Sequence, residues 1–445
     1  MMDIEQIYDR IETNIGRRAD SFEAFLLRTS TLSIEVKDSR LETLKQARSM
    51  GACLRTIRNN RLGFSYSFRL NPDSMRTMVD NALQGARGTD PDPAYGFPCK
   101  NGLPQSLRIY DPSIENIPRQ KKVDIVRALE HSARSFSRRV KRVRKATYSE
   151  YIMDASVMNS LGLWRNGSST IVSLSIMAVA EERGDSQMGW ESDFSHFLAD
   201  LNPEKIGRTA AKKAVSSLGA RRIKSLYCPA VFDRETAADL LSILSPSLSS
   251  ESVLKRRSFL RGKEGTQVFS KIMTISDNGL NEKGAACFPF DGEGVKTGRT
   301  ELVKEGKLLG FLYDTFYARK AKTCSTGSSS RTSMKLPPGV GSSNLSIEPG
   351  ARSLEDMLRE AWSGLYITEL VGVHTADPVS GDFSLGVTGR RIKRGKLGFP
   401  VRGMAVSGNL FELFRGVKCV GSDHRFYGPW GSPSILLERV SLSGR

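Results

Sequence analysis

Between Gly372 and Gly386 the chain reads Gly-Val-His-Thr-Ala-Asp-Pro-Val-Ser-Gly-Asp-Phe-Ser-Leu-Gly, which gathers one histidine, two aspartates and several turn-formers in a single stretch. His374, Asp377 and Asp382 are of the types that ligate a metal or carry a proton. Their spacing follows no helical repeat, so two readings stand. One is a catalytic or metal loop. The other is a tight strand connection whose aspartates cap backbone amides. Asp377-Pro378 and Ser380-Gly381 are turn signals, and Asp382-Phe383-Ser384-Leu385 opens an alternating strand, so a polar turn feeds a sheet.

Elsewhere the chemistry is sparse. The four histidines, His131, His196, His374 and His424, lie at least 50 residues apart. The six cysteines, Cys53, Cys99, Cys228, Cys287, Cys324 and Cys419, contain no CxxC and no close pair, which argues against a disulfide scaffold and a zinc ribbon. Reduced, mostly buried thiols are the expectation. Asp291 and Glu293 suggest an acid/base pair, but the intervening Gly292 and the following Gly294 read more simply as a turn. No phosphate loop, nucleophile elbow or dinucleotide fingerprint is found.

The elements that must position these residues follow from periodicity. Ile4, Ile7, Ile11 and Ile15 form the inner stripe of a first helix. Glu23 to Arg69 reads as a meander of four short β runs, Phe25–Leu27, Leu32–Val36, Ala52–Ile57 and Gly63–Phe68, with Asn60 and Gly63 in one of its turns. Asn71 caps a helix that carries Pro72 at its first position and Met75, Met78, Val79 and Leu83 on one face. Gly88 to Pro118 is a long connection. A helix through Val123, Val126 and Leu129, strands at 147–156 and 170–181, and a helix at 203–217 complete residues 1–224, a mixed α/β domain. Residues 225–445 form a β-rich domain. It begins with a strand at 226–232 and a helix from Arg234 that Pro246 ends. Strands at 268–276, 300–303, 308–313, 365–371, 383–391 and 398–406 follow. Two hairpins share a basic-Xaa-Gly-basic tip, Lys304-Glu305-Gly306-Lys307 and Lys393-Arg394-Gly395-Lys396, and Gly327 to Ser343, rich in Ser, Gly and Pro, is read as a mobile loop. The fold class is α+β.

The 445 residues are 39% hydrophobic, enough for real cores. No apolar run approaches the roughly 18 residues of a membrane span, so a cytoplasmic protein is expected. With 66 basic and 48 acidic residues the net charge is +18, clustered at 134–145, 221–224, 255–263 and 390–396. Such a field attracts nucleic acid or acidic partners. The run from Arg138 to Lys145 contains no aromatic of the kind that stacks on bases, and solvated rims explain the clusters as well.

The ordered C-terminal segments resemble the TldD/PmbA family. They are the 372–386 stretch, Val401 to Leu410, Val420-Gly421-Ser422-Asp423 and Gly431-Ser432-Pro433-Ser434. The likeness extends to Ser258-Phe259-Leu260, Phe290 to Val295, Asp314 to Lys320 and Ser325-Thr326-Gly327, and more loosely to Leu32–Asp38 with Glu42-Thr43. The resemblance implies a peptidase family whose active members carry a His-Glu-Xaa-Xaa-Xaa-His zinc helix and a cysteine near the C-terminus. Here the zinc helix should fall at about Ser242 to Lys255, which has no histidine and contains Pro246. The cysteine counterpart falls around Tyr427-Gly428, whereas Cys419 precedes Gly421.

This pattern is similar to the PmbA (TldE) branch. The resemblance implies a non-catalytic subunit without a metal of its own, paired with a TldD-type partner that carries zinc. It further implies that the complex processes or degrades peptides or unfolded protein, while the sequence leaves a homodimer and a heterodimer both open. On the same likeness His374, Ser380, Gly381, Asp382, Phe383 and Asn409 become candidates for peptide contact, and His424, beside Asp423, for lining a chamber. Two alternatives remain: a self-sufficient hydrolase with an unrecognised site, and a basic nucleic-acid or gyrase-associated binding protein.

Overall fold

A computed structural model describes residues 4–99 and 102–444. Helix α1 (Ile4–Ile15) buries Ile7, Ile11 and Ile15, as its stripe predicts. The meander has fewer, longer strands than expected. The first two β runs merge into β1 (Ser21–Lys37), which is followed by β2 (Arg40–Arg58) and β3 (Arg61–Ser67). Asn59 and Asn60 take left-handed φ of 51° and 58° in the β2–β3 turn. Gly63 is not in that turn but inside β3, because a Cβ there would lie 1.8 Å from the Ala82 carbonyl oxygen of the helix above. That helix is α2 (Pro72–Arg87), capped by the Asn71 side chain on the Ser74 amide. A 3-10 turn at 114–116 precedes α3 (Arg119–Arg134). β4 (Val140–Asn159), β5 (Trp164–Glu182) and the unanticipated β6 (Asp185–Ser195) come next, then α4 (Pro203–Ser216).

These six strands make one antiparallel sheet in the order β3-β2-β1-β4-β5-β6. Alternation sends Leu32, Ile34 and Val36 of β1 into a core with α3 and α4, and Leu26 and Leu54 into a core with α1 and α2. Phe25 and Leu27 face the other way, toward the second half of the chain. The basic run on β4 lies on the rim, where Arg142 reaches Glu181 (3.3 Å) and Lys145 reaches Glu35 (2.9 Å).

The second half begins with β7 (Leu226–Phe232), α5 (Arg234–Leu244), a 3-10 turn at Ser245–Leu248 and α6 (Ser250–Leu254). Next come β8 (Ile275–Asn278), β9 (Arg299–Lys304), β10 (Lys307–Leu308), α7 (Thr315–Lys320), β11 (Ser329–Ser330), β12 (Gly339–Val340) and β13 (Leu345–Ile347). Then follow α8 (Leu354–Ala361), β14 (Ser363–Val371), β15 (Asp382–Lys393), β16 (Lys396–Asn409), α9 (Leu410–Arg415), β17 (Val417–Val420), β18 (Arg425–Tyr427), β19 (Trp430–Ser432) and β20 (Ile435–Ser443). Most of the expected 268–276 strand is coil. Val268 and Phe269 are apolar because they are core residues, not because they pair in a sheet.

One sheet runs β16-β15-β14-β7-β20-β17. A further β16–β20 pairing, Ala405↔Ser443 and Val406↔Leu442, closes five of its strands into a ring and covers the β16 edge, with β17 outside the ring. The other sheet runs β10-β9-β8-β13-β19-β18, and the largest core, including Leu240, Leu244, Ile275, Leu345 and Leu385, joins the two. Both basic-tipped hairpins turn on a left-handed pair, Glu305-Gly306 and Arg394-Gly395. The fold is α+β.

Candidate functional site

The 372–386 stretch forms an exposed connection from β14 to β15. His374 stands on a 3-10 turn at 373–375 and faces solvent. The Asp377 carboxylate accepts from the Val379 amide (2.8 Å) and the Ser380 hydroxyl (3.1 Å), and those donors, the Val379 N–H foremost, hold it below the usual carboxylate range. Asn409 clamps the turn. Its Nδ2 donates to the Ser380 carbonyl (2.9 Å) and to Asp382 Oδ1 (2.8 Å), while its Oδ1 accepts from the Phe411 amide and caps α9. Gly381 takes φ of +82° against the Phe259 ring. Asp377 therefore binds groups of the turn and Asp382 binds the Asn409 clamp, as a strand connection requires. Phe383 is buried, and with Asn409, Tyr227 and Arg439 it lines a groove of about 510 Å³.

A second constellation assembles from residues far apart in sequence. Glu23 and Arg55 are register partners on β1 and β2 and make a two-pronged pair, Nε–Oε1 at 3.0 Å and Nη2–Oε2 at 2.5 Å. Arg55 Nη1 continues to Glu293 Oε1 (2.9 Å), whose Oε2 accepts from the Thr315 amide at the start of α7 (3.0 Å). From the other side Arg331 pairs with Glu23 and donates from Nε to the Gly292 carbonyl (2.7 Å). The four side chains are nearly or fully buried, with two charges of each sign.

Burial alone would raise the Glu293 pKa, but Arg55 and the Thr315 amide bring it below the ordinary value, so it is ionised. Asp291 is pushed the other way, by burial and then by the Glu293 charge, against the pull of amides from Ser329, Glu293 and Val295. Asp314, the cap of α7, is pushed up to about 7 by burial and then by Glu293.

This ion chain divides two cavities. The first, about 470 Å³, lies between the open face of the N-terminal sheet (Phe25, Tyr151, Met153) and the 285–292 and 327–343 segments. The serine-rich segment is tied down more than its composition suggests: β11 pairs with β12, and the Ser329 amide donates to Asp291 Oδ2 (2.9 Å). Cys287 borders this cavity with its thiol pushed up to about 12 by burial and then by Glu282, so it is protonated and a poor nucleophile. The second cavity, about 370 Å³, is lined by Arg55, Tyr95, Glu251, Glu293, Asp314 and Phe316 among others.

Glu251 belongs to the 242–255 segment, where the zinc helix of active relatives is expected. The segment forms the end of α5, a 3-10 turn containing Pro246, and α6. It offers no imidazole, and the Glu251 carboxylate is held by the Lys255 ammonium (2.6 Å). Near the other expected ligand, the Tyr427 hydroxyl accepts from Arg234 Nε (3.1 Å), and the Cys419 thiol, pushed up to about 11 by burial and then by Glu360, lies against that carboxylate (3.0 Å). Among the described residues no three His, Cys, Asp or Glu side chains are placed to hold a metal. The residues present do not fit a zinc ion.

Of the sequence candidates, His374, Ser380, Gly381, Asp382, Phe383 and Asn409 are brought to one region, and none lines the interdomain cavity. Asp291 and Glu293, which the sequence reads as a turn, are in a turn and also at the junction. Glu23, Arg55 and Arg331 are site residues that sequence reasoning misses. For Glu23 the one sequence signal is a charge inside an apolar run, Phe22-Glu23-Ala24-Phe25, while Arg331 stands in a serine-threonine run that offers none.

Comparison with known proteins gives a consistent set. Three profiles of the PmbA/TldA metallopeptidase family match the chain: domain 1 at residues 22–86, the central domain at 112–218 and the C-terminal domain at 225–444. Metalloprotease PmbA of Escherichia coli O157:H7 is 27% identical over 445 residues, covering 99% of this chain and 96% of that one. A Thermotoga maritima crystal structure, described as a candidate modulator of DNA gyrase, superposes with a TM-score of 0.92 at 27% identity and covers 99% of this chain and 100% of that one. TldE from Thermococcus kodakarensis shares the fold, with a TM-score of 0.90 at 22% identity over 98% of this chain and 100% of its own.

Proposed function

The chain belongs to the PmbA/TldD metallopeptidase family, in its PmbA branch, and we propose that it is the metal-free subunit of a two-chain zinc peptidase, enclosing peptide while a TldD-type partner supplies the metal. The observation that carries this reading is the 242–255 segment. Where two histidines on adjacent helical turns would grip zinc, this chain has a proline-broken turn and a glutamate neutralised by Lys255. The interdomain cavity supports the enclosing role. Its apolar wall of Phe25, Tyr151 and Met153 faces serine hydroxyls and the Arg331 guanidinium, a surface suited to extended peptide or unfolded protein.

His374, Ser380, Gly381, Asp382, Phe383 and Asn409 form a peripheral contact along the groove that Phe383 and Asn409 line. All six cysteines are unpaired, in keeping with a cytoplasmic setting. No helix among the described residues is long and apolar enough to cross a membrane.

Reconstitution tests the proposal. Mixed with a TldD-type zinc subunit, the chain is expected to form a stable complex whose peptide cleavage exceeds that of either chain alone. A TldD-type subunit that binds and cleaves peptide equally well without this chain would overturn it.

A further inference from the structure

His424 is the sequence candidate that the peptide-enclosing role leaves unused, and the fold gives it a chemical partner. β13 and β19 pair in parallel with Ser346 opposite Gly431, and the His424 ring folds over that pair from just before β18. Ser346 Oγ and His424 Nε2 are 2.7 Å apart. Gly431 makes the contact feasible, since a Cβ there would stand 2.8 Å from Nε2 and 2.9 Å from Oγ. Phe426 packs edge-on against the imidazole, with centroids 5.1 Å apart, and limits its rotation.

The pair lines a polar groove of about 610 Å³, distinct from both junction cavities. Of the cations in that groove, Arg299 is spent on Glu348 (3.0 Å), and Arg425 on Glu191 (2.8 Å) and Asp193 (3.2 Å). Lys283 has no carboxylate partner among the described residues.

We propose that Ser346 and His424 are a nucleophile–base pair for acyl transfer, acting on esters or amides whose acyl part carries a carboxylate that Lys283 receives. In the first step Ser346 Oγ bonds to the acyl carbon and its proton passes to His424 Nε2. The bond to the leaving oxygen or nitrogen breaks, and that atom takes the proton from Nε2. Water then adds to the acyl carbon, gives a proton through Nε2 back to Oγ, and releases the carboxylic acid. Burial pulls the His424 pKa below 6.5, which leaves Nε2 free to accept at neutral pH. This chemistry needs no metal and no partner, so it stands or falls separately from the peptidase-subunit reading.

The test uses the full-length chain alone, in the presence of a chelator, with a fluorophosphonate probe and mass-spectrometric mapping of the adduct. The expected result is modification at Ser346, absent in Ser346→Ala and about 100-fold slower in His424→Gln. No adduct, or an adduct on another serine, overturns the proposal, and mapping on the unaltered chain decides this even if a variant folds poorly. For the acyl preference, para-nitrophenyl hemisuccinate should be hydrolysed faster than para-nitrophenyl butyrate, and Lys283→Ala should erase the difference. Equal rates in the unaltered chain would remove the carboxylate assignment.

Discussion

The 372–386 turn and the interdomain junction are both rich in carboxylates, and they use them in opposite ways. In the turn, Asp377 and Asp382 face water, and the bonds they make are to the turn itself and to Asn409, 27 residues further on. At the junction, Glu23 and Glu293 have side chains at most 1% exposed and pair with guanidinium groups brought together across the domain boundary; Glu23 and Arg331 are 308 residues apart. A charge in water is screened and cheap, whereas a charge at the junction has lost its hydration and depends on its partners. The turn is therefore a local device, and the junction is a tertiary one that fixes how the two halves enclose the cavity.

The sharpest way to break this contrast is Arg55→Ala, which strands Glu293 in the interior and leaves Glu23 with Arg331 alone. We expect a loss of about 3–5 kcal/mol in urea unfolding, because the buried Glu293 carboxylate is left without a cation. A loss below about 1 kcal/mol would put the junction on the footing of a surface pair. The next largest effect concerns the cavity. Met153→Trp fills it from the sheet side and should cut peptide turnover by the assembled complex at least about tenfold, equivalent to ~1.4 kcal/mol, with unfolding little changed. Unaltered turnover would move the peptide elsewhere.

On the turn side, His374→Ala with Ser380→Ala should lower turnover by only about threefold, or ~0.7 kcal/mol. No change would remove the turn and its Asn409 clamp as peptide contacts.

The smallest expected effect is in pH dependence. The folded-state pKa of Asp314 is raised to about 7, so the folded chain holds a proton that the unfolded chain gives up near pH 4. Its contribution is complete below pH 4 and is lost as pH rises through about 7. Asp314→Asn, which can still cap α7, should flatten the fall in unfolding free energy between pH 6 and 8 without abolishing it, because Asp233 and Asp239 are also raised to about 7. An unchanged slope would contradict the assignment.

Legibility in the sequence divides along the same line. Helix α1 with its isoleucine stripe, the Asn71-Pro72 start of α2 and the two basic-Gly hairpin tips are legible, because each depends on neighbours within a few residues. Gly63 reads wrongly as a turn residue because its purpose, the approach of Ala82, lies in another element. The 268–276 run reads wrongly as a strand because apolar residues buried in a coil look the same as those in a sheet. At the site, the turn residues stand out as a group, and the missing zinc ligands are visible through the family pattern. Glu23, Arg55 and Arg331 are hidden, since nothing local distinguishes a charge that will meet its partner across a domain boundary.

The central claim, that this chain encloses peptide but does not bind the metal, is tested most directly by metal analysis of the purified chain beside its complex with a TldD-type subunit. We predict far less than one zinc per chain for the protein alone, about one per complex, and chelator-sensitive peptide cleavage only in the complex. One tightly held zinc in the isolated chain, with chelator-sensitive peptidase activity of its own, would contradict the account.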